Sequence, residues 1–466
     1  MTATTGAAPP VLTVDRGRRA RTDADVRLVA GSLLWLSLLL MAYWWAADAG
    51  FQDLTSWETG LLSTGRLTGL VASDLLLVQV LLMARLPVLE RSFGQDRLAH
   101  LHRLVGFTSF NLMVTHVILI VWGYAGGSLP HLPAETWRMT LNDPGMLLAV
   151  AGTFCLVMVV ATSIRAARAK LRYESWHLLH LYAYLGVGLA LPHQLWTGQQ
   201  FIDSTAKTVF WWSAWAITAA AILVFRVAIP TWRNLHHRVH VTSVVSEGDG
   251  VFSVHLGGRN LDRLRAEAGQ FFVWRFLSGE GRTRGNPYSL SAAPSRDGLR
   301  ITVKEVGDQS RRLRELAPGT PVLFEGPYGR LGDRVRTRDR IALIGAGVGI
   351  TPLRALAEGL SYAPGDAVML HRYRDRPLMQ RELEDLAAHR GLNVLWLPGA
   401  RRSDQSWLGA HAGEATDVAA LRFWVPDIAE RDTYVCGPPV WTAQVVQSLR
   451  AAGVSPDQIH LESFSW

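Results

Sequence analysis

The chain has 466 residues, a formal charge of +8, an isoelectric point near 9.8 and a mean hydropathy of +0.13, and is too long for a single compact domain. Its basic residues stand beside long apolar runs and not in a patch of their own, which excludes a nucleic-acid partner and points to a lipid bilayer with an anionic surface. Cys155 and Cys436 are too isolated for a disulfide framework or a zinc site.

Residues 1–27 are polar and lack a short apolar core followed by small residues, so they are expected to be a disordered cytosolic tail and not a signal peptide. Six apolar stretches follow, near 28–47, 68–86, 102–124, 145–164, 176–196 and 207–229, each close to the about 20 residues that a helix needs to cross a bilayer. Arg16, Arg18, Arg19, Arg21 and Arg27 precede the first. Arg91, Arg97 and Arg103 separate the second and third, Arg165, Arg168, Lys170 and Arg172 the fourth and fifth, and Arg233 and Arg238 follow the sixth. The alternate loops carry Asp48, Asp53, Glu58, Glu135, Asp143 and Asp203. The positive-inside rule then predicts a multi-pass protein of the cell membrane with both termini cytosolic.

From about His236 the pattern shifts to strand-like runs at 239–245, 252–256, 271–276 and 299–306, which predict a small antiparallel β-barrel. After Arg340, a strand at 341–344 leads through a glycine turn at 345–349 into a helix from Pro352, with further strand-like runs at 367–370, 393–397 and 433–436. Strands alternating with helices predict an α/β doubly wound nucleotide-binding domain. The expected fold class is a multidomain membrane protein, with a tail at 1–27, a six-helix transmembrane bundle at 28–234, a barrel domain at 235–335 and a doubly wound domain at 336–466.

Ionisable residues inside spans are costly and mark function. The third span carries His102 and His116, 14 residues apart. On an ideal helix they lie about 40° from a common face at levels roughly 21 Å apart. The fifth carries His180 and His193, 13 residues apart. Two such spans side by side can clamp two stacked haems by axial imidazole pairs, and a bis-histidine iron has no open position, which suits electron transfer. Thirteen residues of ideal helix turn two side chains about 140° apart. Pro192, with Gly186 and Gly188 before it, is therefore expected to kink or rewind the fifth span. His100 and His177 compete with the paired positions, and both are expected at the cytosolic interface.

Leu101-His102-Arg103 through Thr115-His116, and Trp176-His177-Leu178-Leu179-His180 through Leu191-Pro192-His193, resemble the transmembrane domain of the ferric reductase and NADPH oxidase superfamily, in a prokaryotic NADPH oxidase-like form. The resemblance implies two haem b groups, with His102 and His180 at the inner iron and His116 and His193 at the outer. His100 and His177 are then bystanders.

Asn286-Pro287-Tyr288-Ser289-Leu290-Ser291 is similar to the flavin motif of ferredoxin–NADP reductase-type domains. There an aromatic face packs on the isoalloxazine and a hydroxyl bonds the reactive edge of the ring. The likeness implies FAD held by Asn286, Pro287, Tyr288 and Ser289, with Tyr288 and Ser289 at the reacting ring. Asn286 stands where the family usually has Arg or His, and Arg284 lies two residues earlier. Val303-Lys304-Glu305-Val306-Gly307-Asp308-Gln309-Ser310 resembles the second flavin segment. Here Lys304 joins the site, Gly307 allows close backbone approach, and Ser310 at a helix start can hold phosphate. Gly269-Gln270-Phe271 and Glu325-Gly326-Pro327-Tyr328-Gly329 fit the same family.

Gly345-Ala346-Gly347-Val348-Gly349-Ile350-Thr351-Pro352 departs from the standard dinucleotide fingerprint, its third glycine coming one residue early, but is similar to the pyrophosphate loop of these reductases. The resemblance implies that Gly345, Gly347, Gly349, Thr351 and Pro352 bring phosphate to backbone N–H groups at a helix start. In His371-Arg372-Tyr373-Arg374 the guanidinium groups of Arg372 and Arg374 suit a 2′-phosphate, which favours NADPH with NADH as the alternative. Cys436, Gly437 and Pro438 resemble the segment beside the nicotinamide, with Cys436 positioning the ring and not attacking it. Trp466 is the candidate terminal aromatic over the flavin, and Phe464 the core-packing alternative.

The expected activity is that of an NAD(P)H oxidase or ferric reductase-type oxidoreductase. The acceptor at the outer face is expected to be dioxygen giving superoxide, with a ferric chelate, a quinone or a partner protein as alternatives. Arg66 stands where the oxidases have an outer arginine, and Ile120 where animal oxidases often add a histidine. Asp74 and Gln79 are read as structural.

Overall fold

The computed structural model describes residues 14–171, 173–196, 198, 204–279, 281–282 and 284–462. They form two compact units, one within 26–228 and one of the described residues before 26 together with those from 229 on.

Six long helices run through the first half: α1 Val14–Ala47, α2 Trp57–Leu82, α3 Gln95–Tyr124, α4 Met146–Ser163, α5 Tyr173–Trp196 and α6 Thr205–Ile222. A π-helical turn at Leu223–Ala228 and a helix at Ile229–His237 continue α6. Among the described residues, five helices are long and apolar enough to cross a membrane; α5 does not join them. At 24 residues and 1.5 Å per residue it reaches about 36 Å, but three histidines, Pro192 and Gln194 dilute its hydropathy. α1 begins at Val14, so residues 14–27, expected in a disordered tail, are helical instead. Arg and Ala are good helix formers, and the buried Asp23 pairs with Arg330 and Arg334, which ties this end into folded structure.

α2 lies along α3, and α4 along α5. Glycines permit both approaches: a Cβ on Gly186 would sit 2.9 Å from the Gly152 carbonyl, and one on Gly123 2.6 Å from the Leu62 side chain.

In the second unit, β1 (His240–Gly248), β2 (Val251–Gly257) and β5 (Leu299–Lys304) form one antiparallel sheet, ordered β1-β2-β5. β3 (Phe271–Phe276), β4 (Asn286–Ser289) and β6 (Val322–Tyr328) form a second, ordered β4-β3-β6. Where one continuous barrel was expected, single bridges at His240–Pro321 and Leu290–Ile301 connect the two sheets. Register shifts within β1 and β3 interrupt the ladders, as bulges do where a sheet bends. Phe252, Val254, Phe272, Trp274 and Ile301 fill the space between the sheets.

β7 (Ile341–Ala346), β8 (Ala367–Arg372), β9 (Asn393–Leu397), β10 (Asp432–Cys436) and β11 (Ile459–Glu462) form a parallel sheet ordered β11-β10-β7-β8-β9. Alternate residues of each strand enter separate apolar cores, Leu343 and Met369 one, Ile344 and Leu370 the other. The strand order reverses between β7 and β10, which opens a crevice at their carboxyl ends.

Candidate functional site

Two of the membrane histidines face each other directly, and the other two lie near one another. The rings of His102 (α3) and His180 (α5) lie 6.0 Å apart between centroids, and His193 lies within electrostatic reach of His116. With about 2 Å per metal–nitrogen bond and about 1 Å from nitrogen to ring centre, two imidazoles on one iron have centroids about 6 Å apart. Both α3 rings turn Nδ1 to a main-chain carbonyl of α2: His116 to Gly65 at 2.7 Å and His102 to Gln79 at 3.0 Å. A carbonyl only accepts, so Nδ1 carries the proton and Nε2 keeps its lone pair for a metal. His180 Nδ1 lies 3.3 Å from Ser163 Oγ, which donates to the Val159 carbonyl and accepts from Trp176 Nε1. The donor set therefore fits bis-imidazole ligation, and among the described residues no group of three or more ligating side chains competes with it.

α5 stays helical through Pro192, which has no N–H for the Gly188 carbonyl four residues back. At the end of the helix Gly198 N–H donates to the His193 carbonyl, five residues back, which lies beyond both histidines and does not rewind the turns between His180 and His193. His100 is exposed, and His177 lies beside His180 on the same helix. Arg66 forms an ion pair with Asp53, and Asp74 accepts from Ser37 Oγ at 2.8 Å.

Pairing with β3 sets the flavin strand, Tyr288 opposite Phe272 and Ser289 opposite Phe271. Burial pushes the Tyr288 phenol up to about 12, so it stays neutral. Ser289 Oγ is buried without a hydrogen-bond partner, a costly arrangement unless a ligand atom completes it. Asn286 Nδ2 reaches only the Arg284 carbonyl, at 3.5 Å. Lys304, closing β5, is exposed. The Ser310 hydroxyl is spent locally: it accepts from Val306 and Gly307 N–H and donates to the Gly307 carbonyl. Gly307 is extended, with open space at its missing Cβ.

The glycine loop leaves β7 at the switch point and enters α7 (Ile350–Gly359). Gly347 takes a positive φ of 55° with open space beside it. A Cβ on Gly349 would strike the Cys436 carbonyl and lie 2.8 Å from Gly437 N, so this glycine lets the loop rest on the Cys436-Gly437-Pro438 segment. Gly345 is crowded by Leu353 and Ile350. Thr351 Oγ1 donates to the Val348 carbonyl at 2.9 Å, and Pro352 is buried in the first turn of α7. Burial, with Glu462 nearby, pushes the Cys436 thiol well up. A cavity of ≈490 Å³ opens beside Gly437, along Thr442 and Val446 to Glu462.

Arg372 is buried, and its guanidinium donates to the carbonyls of Tyr373 and Leu397, which removes it from the exposed anion-binding position expected of it; Arg374 is exposed. Phe464 and Trp466 lie outside the described residues.

Three features escaped the sequence. Glu462 comes to Cys436 through parallel pairing of β11 with β10; the short run Ile459-His460-Leu461 before it was the available signal. His371 is fully buried with neither ring nitrogen partnered. A polar cluster joins the antiparallel sheets to the parallel one: Arg300 donates to both Glu382 oxygens at 2.9 and 2.8 Å, and Arg354 of α7 reaches the same carboxylate at 2.7 Å. Burial opposes the Glu382 charge, but these two arginines outweigh it and hold the carboxyl below its ordinary range.

Residues 68–191 match the family described as "Ferric reductase like transmembrane component", a stretch that includes His102, His116 and His180 and ends just before His193. The chain is 32% identical over 222 residues to the ferredoxin reductase component of 3-ketosteroid-9-alpha-monooxygenase from Mycolicibacterium smegmatis, covering 46% of this chain and 60% of that protein. It is 28% identical over 256 residues to the glycine betaine monooxygenase reductase subunit of Chromohalobacter salexigens, covering 51% and 67%. The chain thus spans less than two thirds of the first relative's length. Among solved structures it is similar to the flavohaem-like FAD/NAD binding domain of nitric oxide dioxygenase from Vibrio cholerae, at 25% identity and a TM-score of 0.39, covering 49% of this chain and 98% of that one.

Proposed function

We propose that this membrane oxidoreductase, a ferric reductase-like transmembrane domain joined to a reductase module of the ferredoxin–NADP reductase type, carries electrons from cytosolic NADPH to dioxygen at the outer face and yields superoxide. Its carriers in this reading are FAD and two haem b groups. FAD accepts the two electrons of a hydride and releases them singly, and haem iron takes them one at a time. The observation that carries the reading is the shared tautomer of His102 and His116, each with Nδ1 on an α2 carbonyl and Nε2 left for iron.

His102 with His180 then holds the inner haem, and His116 with His193 the outer. Ser289 Oγ, buried and unpartnered, bonds the reactive edge of the flavin, and Tyr288, kept neutral by burial, packs on its face. Gly345, Gly347 and Gly349 admit the pyrophosphate, and Gly437 and Pro438 line the nicotinamide side. Cys436 and Glu462 sit where the reacting carbon docks; the buried thiol orients it and excludes water. Arg374, exposed after β8, takes the 2′-phosphate that discriminates NADPH from NADH. The arginines flanking α1, between α2 and α3, between α4 and α5 and after α6 support six spans with both termini cytosolic.

The test uses the full chain in detergent. A reducible Soret band, and NADPH-driven reduction of cytochrome c that superoxide dismutase abolishes, are expected. Haem reduction without turnover until a ferric chelate is added overturns the dioxygen assignment in favour of iron. A chain without haem overturns the whole reading.

A further inference from the structure

We infer that α2, which carries no histidine, sets the ligand geometry of α3, and that Gly69 is the positioning residue on which the His116–His193 haem site depends. The inference rests on the haem reading above and goes beyond it by naming what holds the ligands.

The two acceptor carbonyls on α2 belong to Gly65 and Gln79, 79 − 65 = 14 residues apart; the two histidines they serve are 116 − 102 = 14 apart, in the opposite chain direction. One antiparallel register of α2 on α3 thus supplies an acceptor at both levels. A histidine whose Nδ1–H is bonded cannot rotate or change tautomer without losing that bond, so the direction of Nε2 is fixed before any metal arrives.

The two levels differ in what allows the approach. At His116 the imidazole fills the space of a missing side chain. A Cβ on Gly69 would stand 2.5 Å from Nδ1, 2.7 Å from Cε1 and 3.0 Å from Cγ of that ring. All three contacts are with the ring itself, so it can yield only by leaving the Gly65 carbonyl and turning Nε2 away. Gly106, on α3 one turn beyond His102, faces Gln79, where an added Cβ would meet the flexible Gln79 amide, Oε1 at 2.5 Å and Cδ at 3.7 Å. That amide can swing aside and leave the Gln79 carbonyl on His102.

The test is haem stoichiometry of the purified full chain by the pyridine haemochrome method, with electron paramagnetic resonance to count low-spin bis-imidazole centres. Gly69→Ala is expected to fall from two haems per chain to one, with the remaining centre low-spin and unshifted in potential; Gly106→Ala is expected to keep both. Two low-spin haems at unaltered potentials in Gly69→Ala overturn the inference alone, whereas absence of haem from the unsubstituted chain overturns the haem reading together with it. Should Gly69→Ala fail to insert, Gly65→Ala carries the same test. Its Cβ would meet the Ile120 side chain at 2.9 and 3.0 Å and the Ile120 main-chain nitrogen at 3.3 Å, which presses α3 off the carbonyl that holds His116. Loss of one haem in Gly65→Ala, restored by adding Ile120→Ala, supports the inference; two haems in the single variant overturn it.

Discussion

Protonating His371 requires placing a charge at the end of β8, where the ring is fully buried, neither nitrogen has a partner, and Tyr373 and Trp396 pack against it. Burial pulls its pKa down to about 4 from an ordinary 6.5. Between those values the unfolded chain takes up a proton that the folded chain refuses, so stability is whole above about pH 6.5 and drains as pH falls toward 4. A gap of roughly 2.5 pKa units at about 1.4 kcal/mol each makes the full loss about 3 to 4 kcal/mol, with about 2 kcal/mol already gone at pH 5. His371→Leu removes both the titration and the two unsatisfied nitrogens, and is expected to cost less than about 1.5 kcal/mol at pH 8 as a swap of similar volume. Pulse proteolysis of the detergent-solubilised chain in urea, from pH 8 to pH 5, reads the equilibrium through a fragment of the second unit. The expected result is a wild-type midpoint that falls more steeply with acid than the variant's. Parallel pH slopes for the two proteins would refute the reasoning, because an imidazole that titrates normally when folded adds no slope.

Ser289→Ala is expected to keep FAD bound but slow its reduction by NADPH about 5- to 150-fold in stopped-flow measurements, the loss of one well-placed hydrogen bond of about 1–3 kcal/mol. Cys436, buried with its thiol pushed well up, is expected to escape alkylation by iodoacetamide at pH 8 in the folded chain and to react fully in denaturant, as read by mass spectrometry. Arg374→Ala is expected to raise the KM for NADPH about tenfold and leave that for NADH unchanged, since only NADPH carries the 2′-phosphate. Gly349→Ala is expected to abolish reduction by NADPH while dithionite still reduces the haems, because the added Cβ strikes the Cys436 main chain, which cannot move aside.

Periodicity and punctuation made the architecture legible. Long apolar runs marked the membrane helices, and the glycine turn after 341–344 marked the switch-point strand β7. The start of α1 was not legible, since the residue that anchors it, Asp23, pairs with Arg334, 311 positions away. The surroundings of Arg372 were not legible for a related reason: a guanidinium after a strand looks free in sequence, and only the fold shows it buried and donating to two carbonyls. The histidine spacings were readable, but not what holds the rings. A main-chain carbonyl is present at every residue, so nothing in the letters distinguishes Gly65 or Gln79 as an acceptor.

That last point separates the two halves of the protein by how their sites are held. In both, a glycine lets main chain do the holding: Gly69 clears room for a ring on the Gly65 carbonyl, and Gly349 clears room for the Cys436 backbone. The partner in the membrane is a side chain, which can turn away when crowded, so on the proposed haem reading damage there is confined to one histidine pair. The partner of the glycine loop is a strand end inside a five-stranded sheet, so damage there displaces main chain that the sheet holds in place. Electron transfer between fixed metals depends on ligands whose direction is set in advance, and a carbonyl already locked into a helix is a more rigid acceptor than a rotatable side chain. His180, whose acceptor is the Ser163 hydroxyl at 3.3 Å, therefore has more freedom to reorient than His102 or His116, whose acceptors are main-chain carbonyls, and replacing Ser163 should shift the potential of its pair.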